Sequence, residues 1–360
     1  MMIKPEHGNY IKNGLNNVQC RLNQESIIAF ARKYLRDHFP LPPCSMHREI
    51  SEILKEATRT RRNRIALAAP RLYNQSELVD IAYILWSICY QKESLIVLVG
   101  DTQEQASEQL AIVKDSLETN PDLLRDFPNA TGKTKSWQAT YFTSRNGIKV
   151  SAAGLNQEPH PFTFRGKKPS LVIFDLLQVH LHDMERRSKT DMRYLSHIQS
   201  NSCGDETNII VVGTIMHQKS ILATLLDDRR SVWICKKYQA IISEAEDKER
   251  WKIWQSIFDC ETDYQGESGA PVAEIYFKDN KEAMLKGAKV LWPECETYDK
   301  LMNIKASMMN NKLFNCEKQN MPPGIDYIKR ERMRAQLLAM EREFAEEDKR
   351  NAAKTSSPPT

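Results

Sequence analysis

The run RIALAAPRLYNQSE, residues 64–77, is where phosphate chemistry would sit. Its first half is a short apolar stretch closed by Pro70, and its second half leads into a helical pattern. A strand passing into a helix offers the free N–H groups of the helix start to an anion. The pattern GxxxxGK[ST] would fall on Ala69, Asn74, Gln75 and Ser76, and only the Ser76 hydroxyl fits it. On spacing alone the segment reads as a plain strand–turn–helix. Other groupings also carry chemical residue types. His180, His182 and Asp183 (VHLHD) would share a strand face as metal ligands. A third and fourth ligand are not evident, and a solvated loop is the expectation. Arg59, Arg61, Arg62 and Arg64 form a basic knot that suits DNA phosphates. It suits equally a helix end whose cations offset the helix dipole. Lys167 and Lys168, beside Arg165, add to a phosphate- or DNA-facing surface. Cys203 and Cys235 have no histidine arrangement for nucleophilic catalysis, so idle thiols are expected.

The elements that must position these residues follow from periodicity. QESIIAFARKYLRDHF (24–39) has helical apolar spacing and is broken by PLPPC (40–44). MHREISEILKEAT (46–58) is a second amphipathic stretch. IALAA (65–69) reads as a buried strand, 77–91 as a core helix, SLIVLVG (94–100) as a central parallel strand and 102–118 as a long helix. QATYFTS and IKVSAAG flank Arg145-Asn146-Gly147 as a hairpin. SLVIFD (170–175) and NIIVVGT (208–214) are two more buried strands ending in polar residues. Strands alternating with helices predict an α/β fold, a mostly parallel sheet flanked by helices, with ligands at its carboxyl edge. Beyond about residue 240 a helical lid or linker follows, and 329–350 reads as one highly charged helix.

The chain has 360 residues, of which 41% are hydrophobic and 27% charged, which predicts a soluble protein of about two domains. A net charge of +4 leaves any nucleic-acid contact to local patches rather than to a global field. The eight cysteines are scattered without a CxxC pair, so free thiols in a reducing cytoplasm are expected. The N-terminus has no apolar signal region, and no stretch is long enough to span a bilayer.

Taken in order, these pieces resemble the large subunit of phage terminases, the ATP-driven motors that package viral DNA. Many of those read approximately AAPRGxxKST, then a strand ending in GDT with QA soon after, TxNG, RG, a strand ending in DD, and a strand ending in GT with a histidine three residues on. The corresponding pieces are AAPRLYNQSE (68–77), VGDTQEQA (99–106), TSRNG (143–147), FRG (164–166), LVIFDLLQ (171–178) and VVGTIMHQKSIL (211–222). VLWPE (290–294) and FNCEKQNMPP (314–323) resemble the stretch past the ATPase core. The resemblance covers residues 45–323 and implies a P-loop NTPase-like fold that binds ATP and Mg²⁺. It implies a loop of Pro70, Arg71, Leu72, Tyr73, Asn74, Gln75 and Ser76 on the phosphates, and Mg²⁺ on Ser76 and Asp175. Arg71 or Arg165 would act as the arginine finger, with Gly213 and Thr214 coupling hydrolysis to movement. His217 reads as a structural or coupling residue.

The departures fall on chemical positions. The loop glycine is Leu72, the lysine Gln75, the following threonine Glu77, the second acid Leu176, and the acid two places on Gln178. Losing one preorganised donor costs roughly 10²–10³ in rate, Glu77 opposes phosphate, and Leu176 cannot orient a water. Hydrolysis at a motor's rate is therefore not expected unless Arg71 or a nearby lysine supplies charge and a different acid serves as base. The expected organisation is an N-terminal helical arm (1–45), an ATPase-like core (46–240), the lid or linker (241–325) and a charged helix with a frayed tail (326–360). About 37 residues follow Pro323, too few for the nuclease domain of a complete terminase, so none is expected here. The resemblance further implies double-stranded DNA, a portal protein and a small terminase subunit as partners, a homo-oligomeric ring, and a bacterial host's cytoplasm. A non-hydrolysing DNA-binding or assembly subunit and a decayed prophage remnant are the other readings.

Overall fold

Strands with apolar residues at every position need cover on both faces, and helices on either side of a parallel sheet supply it. The computed structural model has that arrangement and describes residues 24–176, 184–227, 232–308 and 311–323. Gln178, His180, His182, Asp183, the residues before 24 and the charged tail fall outside the described residues. In chain order the elements are α1 (Ile27–Tyr34), α2 (Ser45–Thr60) and β1 (Arg64–Ala68). Next comes α3, wound as a wide π-helix over Glu77–Tyr83 and continuing over Ile84–Cys89. It is followed by β2 (Leu95–Gly100), α4 (Gln103–Thr119), α5 (Pro121–Asp126), β3 (Tyr141–Thr143) and β4 (Lys149–Gly154). Then come β5 (Leu171–Leu176), α6 (Met184–His197), β6 (Asn208–Gly213), α7 (Ile221–Asp227) and β7 (Ile234–Lys237). The remainder is β8 (Ile241–Ser243), α8 (Lys248–Phe258), α9 (Ala270–Asp279), α10 (Lys281–Leu285), β9 (Lys289–Val290), α11 (Tyr298–Ser307) and α12 (Asn311–Gln319).

The main sheet has the order β3-β4-β2-β5-β6-β1-β7, and only the β3–β4 hairpin is antiparallel. This is the predicted α/β fold with a mostly parallel sheet. Alternation along each strand divides the core. Ile65 and Leu67 of β1 join the cluster under α1 to α4, while Ala66 and Ala68 join the cluster under α6 and α7. The first cluster continues through Trp251, Trp292 and Phe314, so the segments after residue 240 pack on the same core. β7 and the β8–β9 ladder have no counterpart in the strand pattern of the sequence. β7 is half-exposed at the sheet edge, where alternation and charge mask the signal.

Register decides where the site lies. Ala68 pairs with Gly213, Leu176 with Gly213, Phe174 with Val99, and Gly100 with Gly154. The carboxyl ends of five neighbouring strands are therefore level, and the loops that leave them share one edge. Gly213 is needed there because a Cβ would lie 2.5 Å from the Leu176 carbonyl oxygen. Gly213→Ala should destabilise the protein by about 1–3 kcal/mol, the usual range for overpacking, read as a lowered midpoint in urea denaturation.

Candidate functional site

Between β1 and α3 the chain turns from strand into helix through two left-handed residues. Leu72 (φ 68°) and Asn74 (φ 55°) both adopt the left-handed conformation. Asn tolerates it, but for Leu it is costly, by roughly 1–2 kcal/mol. The position where the resembled motif has glycine thus keeps the glycine-like backbone, and the Leu72 side chain stands 74% exposed. The helix then starts, with the Leu78 amide donating to the Asn74 carbonyl (3.0 Å).

The two ends of this loop are fixed by neighbouring strands and segments. The Ala69 amide donates to Gly213 O (3.0 Å), and the Thr214 hydroxyl donates back to Ala69 O (2.9 Å). Pro70 is buried and Gln75 nearly so. Tyr73 is fully buried against Trp292 (ring centroids 5.7 Å apart). Its carbonyl accepts from His47 Nε2 (2.8 Å), while His47 Nδ1 accepts from the Cys44 amide (3.1 Å). Burial holds the His47 pKa below its ordinary value, so the ring is neutral with its proton on Nε2. Asn74 Nδ2 donates to His38 O (2.9 Å).

The loop's charged groups are engaged by α12. Arg71 donates from its backbone amide to Glu317 O (2.8 Å) and from Nη1 to the Glu317 carboxylate (2.6 Å). Lys318, only 3% exposed, donates from Nζ to Arg71 O (3.1 Å) and to Glu296 Oε1 (2.7 Å), and lies 5.4 Å from the Tyr73 ring centroid. Asn320 closes the seam, accepting from the Ile215 amide (2.8 Å) and donating to Tyr238 O (2.9 Å).

At the far end of the loop, the Ser76 hydroxyl donates to Asp175 Oδ1 (3.0 Å). Asp80, four residues beyond Ser76 in the π-wound part of α3, is fully buried beside Asp175. No hydroxyl or N–H reaches either Asp80 oxygen or Asp175 Oδ2 among the described residues. A shared proton resolves this pair, because two buried carboxyls in contact cannot both ionise. Burial, and then the Asp175 charge, raise the Asp80 pKa well above the usual carboxylate range. Burial pushes Asp175 up to about 6, opposed by hydrogen bonds from Asp80 and Ser76 and aided by the Asp101 and Glu77 charges. Asp80 therefore carries the proton and donates it toward Asp175.

The sequence-predicted residues separate into two groups. Arg71, Ser76, Asp175, Gly213 and Thr214 meet at the carboxyl edge. Arg165 does not; it lies in the turn before β5, at the opposite end of that strand from Asp175. His217 is buried and accepts from the Lys219 amide through Nδ1 (3.0 Å). Asp80, Asp101, Glu296, Glu317 and Lys318 were missed. Asp80 had a signal, a lone acid in the apolar run LVDIAYILW at helical spacing from Ser76. Glu296, Glu317 and Lys318 had none, since only tertiary packing brings them to the loop.

The Ser76 hydroxyl and the Asp175 carboxylate are hard-oxygen donors of the kind Mg²⁺ accepts, whereas Asp80 is buried and protonated. No group of three or more His, Cys, Asp or Glu side chains that could hold a metal ion occurs among the described residues. Both cations at the loop are engaged: Glu317 pairs with Arg71, and Glu296 with Lys318.

No family model matches the chain, and no curated protein matches it. Among solved structures, one similar protein comes from the thermophilic bacteriophage D6E. The chain is similar to that phage's large terminase. The TM-score is 0.38 at 10% identity for crystal form 2, 0.36 at 11% for crystal form 3, and 0.37 at 9% for a complex with ADP. Each covers 55% of this chain, and the chain spans less than half the terminase's length, 45% to 46%. All cysteines among the described residues are free thiols, and no helix among them is long and apolar enough to cross a membrane.

Two outcomes follow from this geometry. Raised carboxyl pKa values mean that the folded state holds protons the unfolded state has released. That stability is complete below about pH 4 and is lost as pH rises through the Asp175 value of about 6 and beyond. The unfolding free energy should therefore fall between pH 5 and 8, by up to roughly 1.4 kcal/mol per pH unit for each proton, and the thermal midpoint with it. Asp80→Asn should flatten that decline. Lys318→Met, which leaves Glu296 buried and unpaired, should cost about 3–5 kcal/mol in urea denaturation. Adding Glu296→Gln should recover part of it.

Proposed function

We propose that this chain is a DNA-packaging subunit of terminase type whose phosphate loop is held shut by its own α12 and does not hydrolyse ATP at a motor's rate. The observation that carries the reading is the closed ion pair between Arg71 and Glu317 on a loop whose lysine is Gln75. The packaging part is supported by the ordered motifs. Of these, the loop, the GDT strand, the Asp175 strand and the GT strand all end at one sheet edge.

Two groups outside the motifs are candidates to replace the lost chemistry, and both are committed elsewhere. Lys318 brings a cation to the loop, but Glu296 pairs with it. Asp80 brings a second acid to Asp175, but it is buried and holds its proton, so it has no means of taking one from water. With Mg²⁺ bound, Ser76 and Asp175 would hold a cation that draws negative charge off a phosphate. The chain's own residues then position the loop, neutralise each other and exclude solvent. In this reading the subunit contacts duplex DNA and takes its place beside a portal, a small DNA-recognising subunit and further copies in a ring. Its contribution is binding and assembly rather than turnover.

Calorimetric titration with ATP, with and without Mg²⁺, tests this, followed by phosphate release with duplex DNA present. The purified chain should bind ATP at least about a hundredfold more weakly than a loop with its lysine, by the scale of one lost charged donor, and should release no phosphate above background. Glu317→Ala with Gln75→Lys should restore binding. DNA-stimulated hydrolysis by the unmodified chain, abolished by Asp175→Ala, would overturn the reading.

A further inference from the structure

The edge opposite the phosphate loop carries a charge pattern of its own. Every parallel strand begins there, preceded by a short connection. Across the sheet order these connections bring Arg145 before β4, Lys92 before β2, and Arg165, Lys167 and Lys168 before β5. Asp205 and Glu206 precede β6, and Arg62 precedes β1, which begins at Arg64. At about 4.8 Å between strands, the row from β4 to β1 is roughly 19 Å long.

The Arg62 end of this row is held rigidly. Arg61 donates from Nη1 to both carboxylate oxygens of the buried Glu93 (2.7 Å each) and from Nη2 to Lys92 O. That ties the connection before β1 to the one before β2. Arg61 and Arg62 both have φ of 59°, a conformation that side chains of this size adopt only where surroundings enforce it. Arg61 is consumed as the anchor, and Arg62 is left exposed.

Three clefts open along the row, and the middle one, about 510 Å³, sets Lys92, Lys167 and Lys168 beside Glu93, Asp205 and Glu206; the other two hold a larger excess of cations. One of about 470 Å³ is lined by Arg62, Arg64 and Lys168 together with Asp205. The other, about 730 Å³, is lined by Lys133, Lys135, Arg145 and Arg165 with threonine and serine hydroxyls and no acidic side chain. Among the described residues no carboxylate pairs with Arg62, Arg64, Arg145, Arg165 or Lys167, and Lys168 Nζ donates only to Cys203 O (3.0 Å). The sequence placed these cations in three separate stretches, and the fold brings them to one edge.

We infer that this amino-terminal edge of the sheet binds the phosphodiester backbone of duplex DNA, without reading sequence. The inference rests on the duplex-DNA part of the function proposed above but is independent of the phosphate loop. Four features select this partner. The row is linear, and its length matches roughly six base pairs at 3.4 Å per step. Its guanidinium groups are unpaired and suited to phosphate oxygens. It lacks an apolar cavity for a small ligand. The Phe164 ring beside these cations is already covered by Arg165 (4.9 Å) and Lys149 (5.6 Å), so it is not open for stacking single-stranded bases.

Fluorescence anisotropy of a short mixed-sequence duplex, measured across KCl concentrations with the full chain, tests the inference. The combined variant Arg62→Gln, Arg64→Gln and Lys168→Gln should bind at least about tenfold more weakly. Its slope of log K against log salt should be flatter by roughly 2–3, about 0.9 for each phosphate that is no longer neutralised. Asp205→Asn with Glu206→Gln, which removes the two acids from the row, should bind the duplex more tightly, an outcome that misfolding cannot mimic. Lys248→Gln with Lys252→Gln, on the exposed face of α8, should match the unmodified chain. Unchanged affinity and slope in the first variant would overturn the inference. So would equal binding of polyglutamate in place of DNA, which would mark an acidic-protein site instead. A subunit that hydrolyses ATP yet loses DNA with the first variant would refute the closed loop while leaving this surface standing.

Discussion

A buried ammonium must have its charge answered where it lies, because leaving water costs several kcal/mol per ion. Lys318 is such a group, and its three contacts come from two stretches of chain distant from its own helix. Arg71 O belongs to the loop, Glu296 to the approach to α11, and the Tyr73 ring to the loop's inner wall. Satisfying one charge thus fixes three segments relative to each other. Glu317, the preceding residue, then meets Arg71 with both its carbonyl and its carboxylate. The buried seating of Tyr73, its packing on Trp292 and the hydrogen bond from His47 all depend on the loop staying in this place. A change at the loop is therefore felt in residues far along the chain, at α12.

The sheet's polarity orders the rest. In a parallel sheet flanked by helices, helix starts gather at the carboxyl edge and helix ends at the amino edge. Helix starts favour negative charge and helix ends positive charge. The acids Asp80, Asp101 and Asp175 with Glu77 lie at the first edge, beside the starts of α3 and α4. Cations lie at the second, where α2 runs out through Arg61, itself paired with Glu93, into Arg62, and α3 into Lys92. One architectural rule thus separates an acidic end that faces its own loop from a basic end that faces outward.

Much of this was legible in the chain. The runs LIVLVG, LVIFD and NIIVVG announce buried parallel strands because their apolar residues are continuous, and the Arg145-Asn146-Gly147 turn announces the hairpin. The helix following the loop was visible too, although its π-type winding was not. The loop's position could be read from a strand running into a helix, and Ser76 and Asp175 do meet. What could not be read was whatever depends on long-range packing. β7 hides because an exposed edge strand loses the apolar signature. Glu317 and Lys318 sit in a helix with ordinary charges and acquire meaning only against Arg71. Asp80 lies between these cases. Its isolation in an apolar helix was visible, but its partner was two strands away in the sheet.

The loop itself shows how shape and chemistry can part company. Leu72 keeps a left-handed backbone that glycine would adopt freely, so the turn is enforced by its surroundings rather than by its own residue. The cations available to that turn are Arg71 and Lys318, and each already faces a carboxylate. Glu77, Asp101 and Asp175 add further negative charge nearby. A triphosphate entering this space would have to displace Glu317, which is tethered to the same chain and so competes at a high effective concentration. It would also have to draw Arg71 and Lys318 away from the carboxylates they already meet. An intramolecular carboxylate on the loop arginine is thus a better electrostatic match to this sequence than a nucleotide is. With Gln75 where the resembled motif has lysine, the charge at this turn is balanced within the chain, by Arg71 on Glu317 and Lys318 on Glu296.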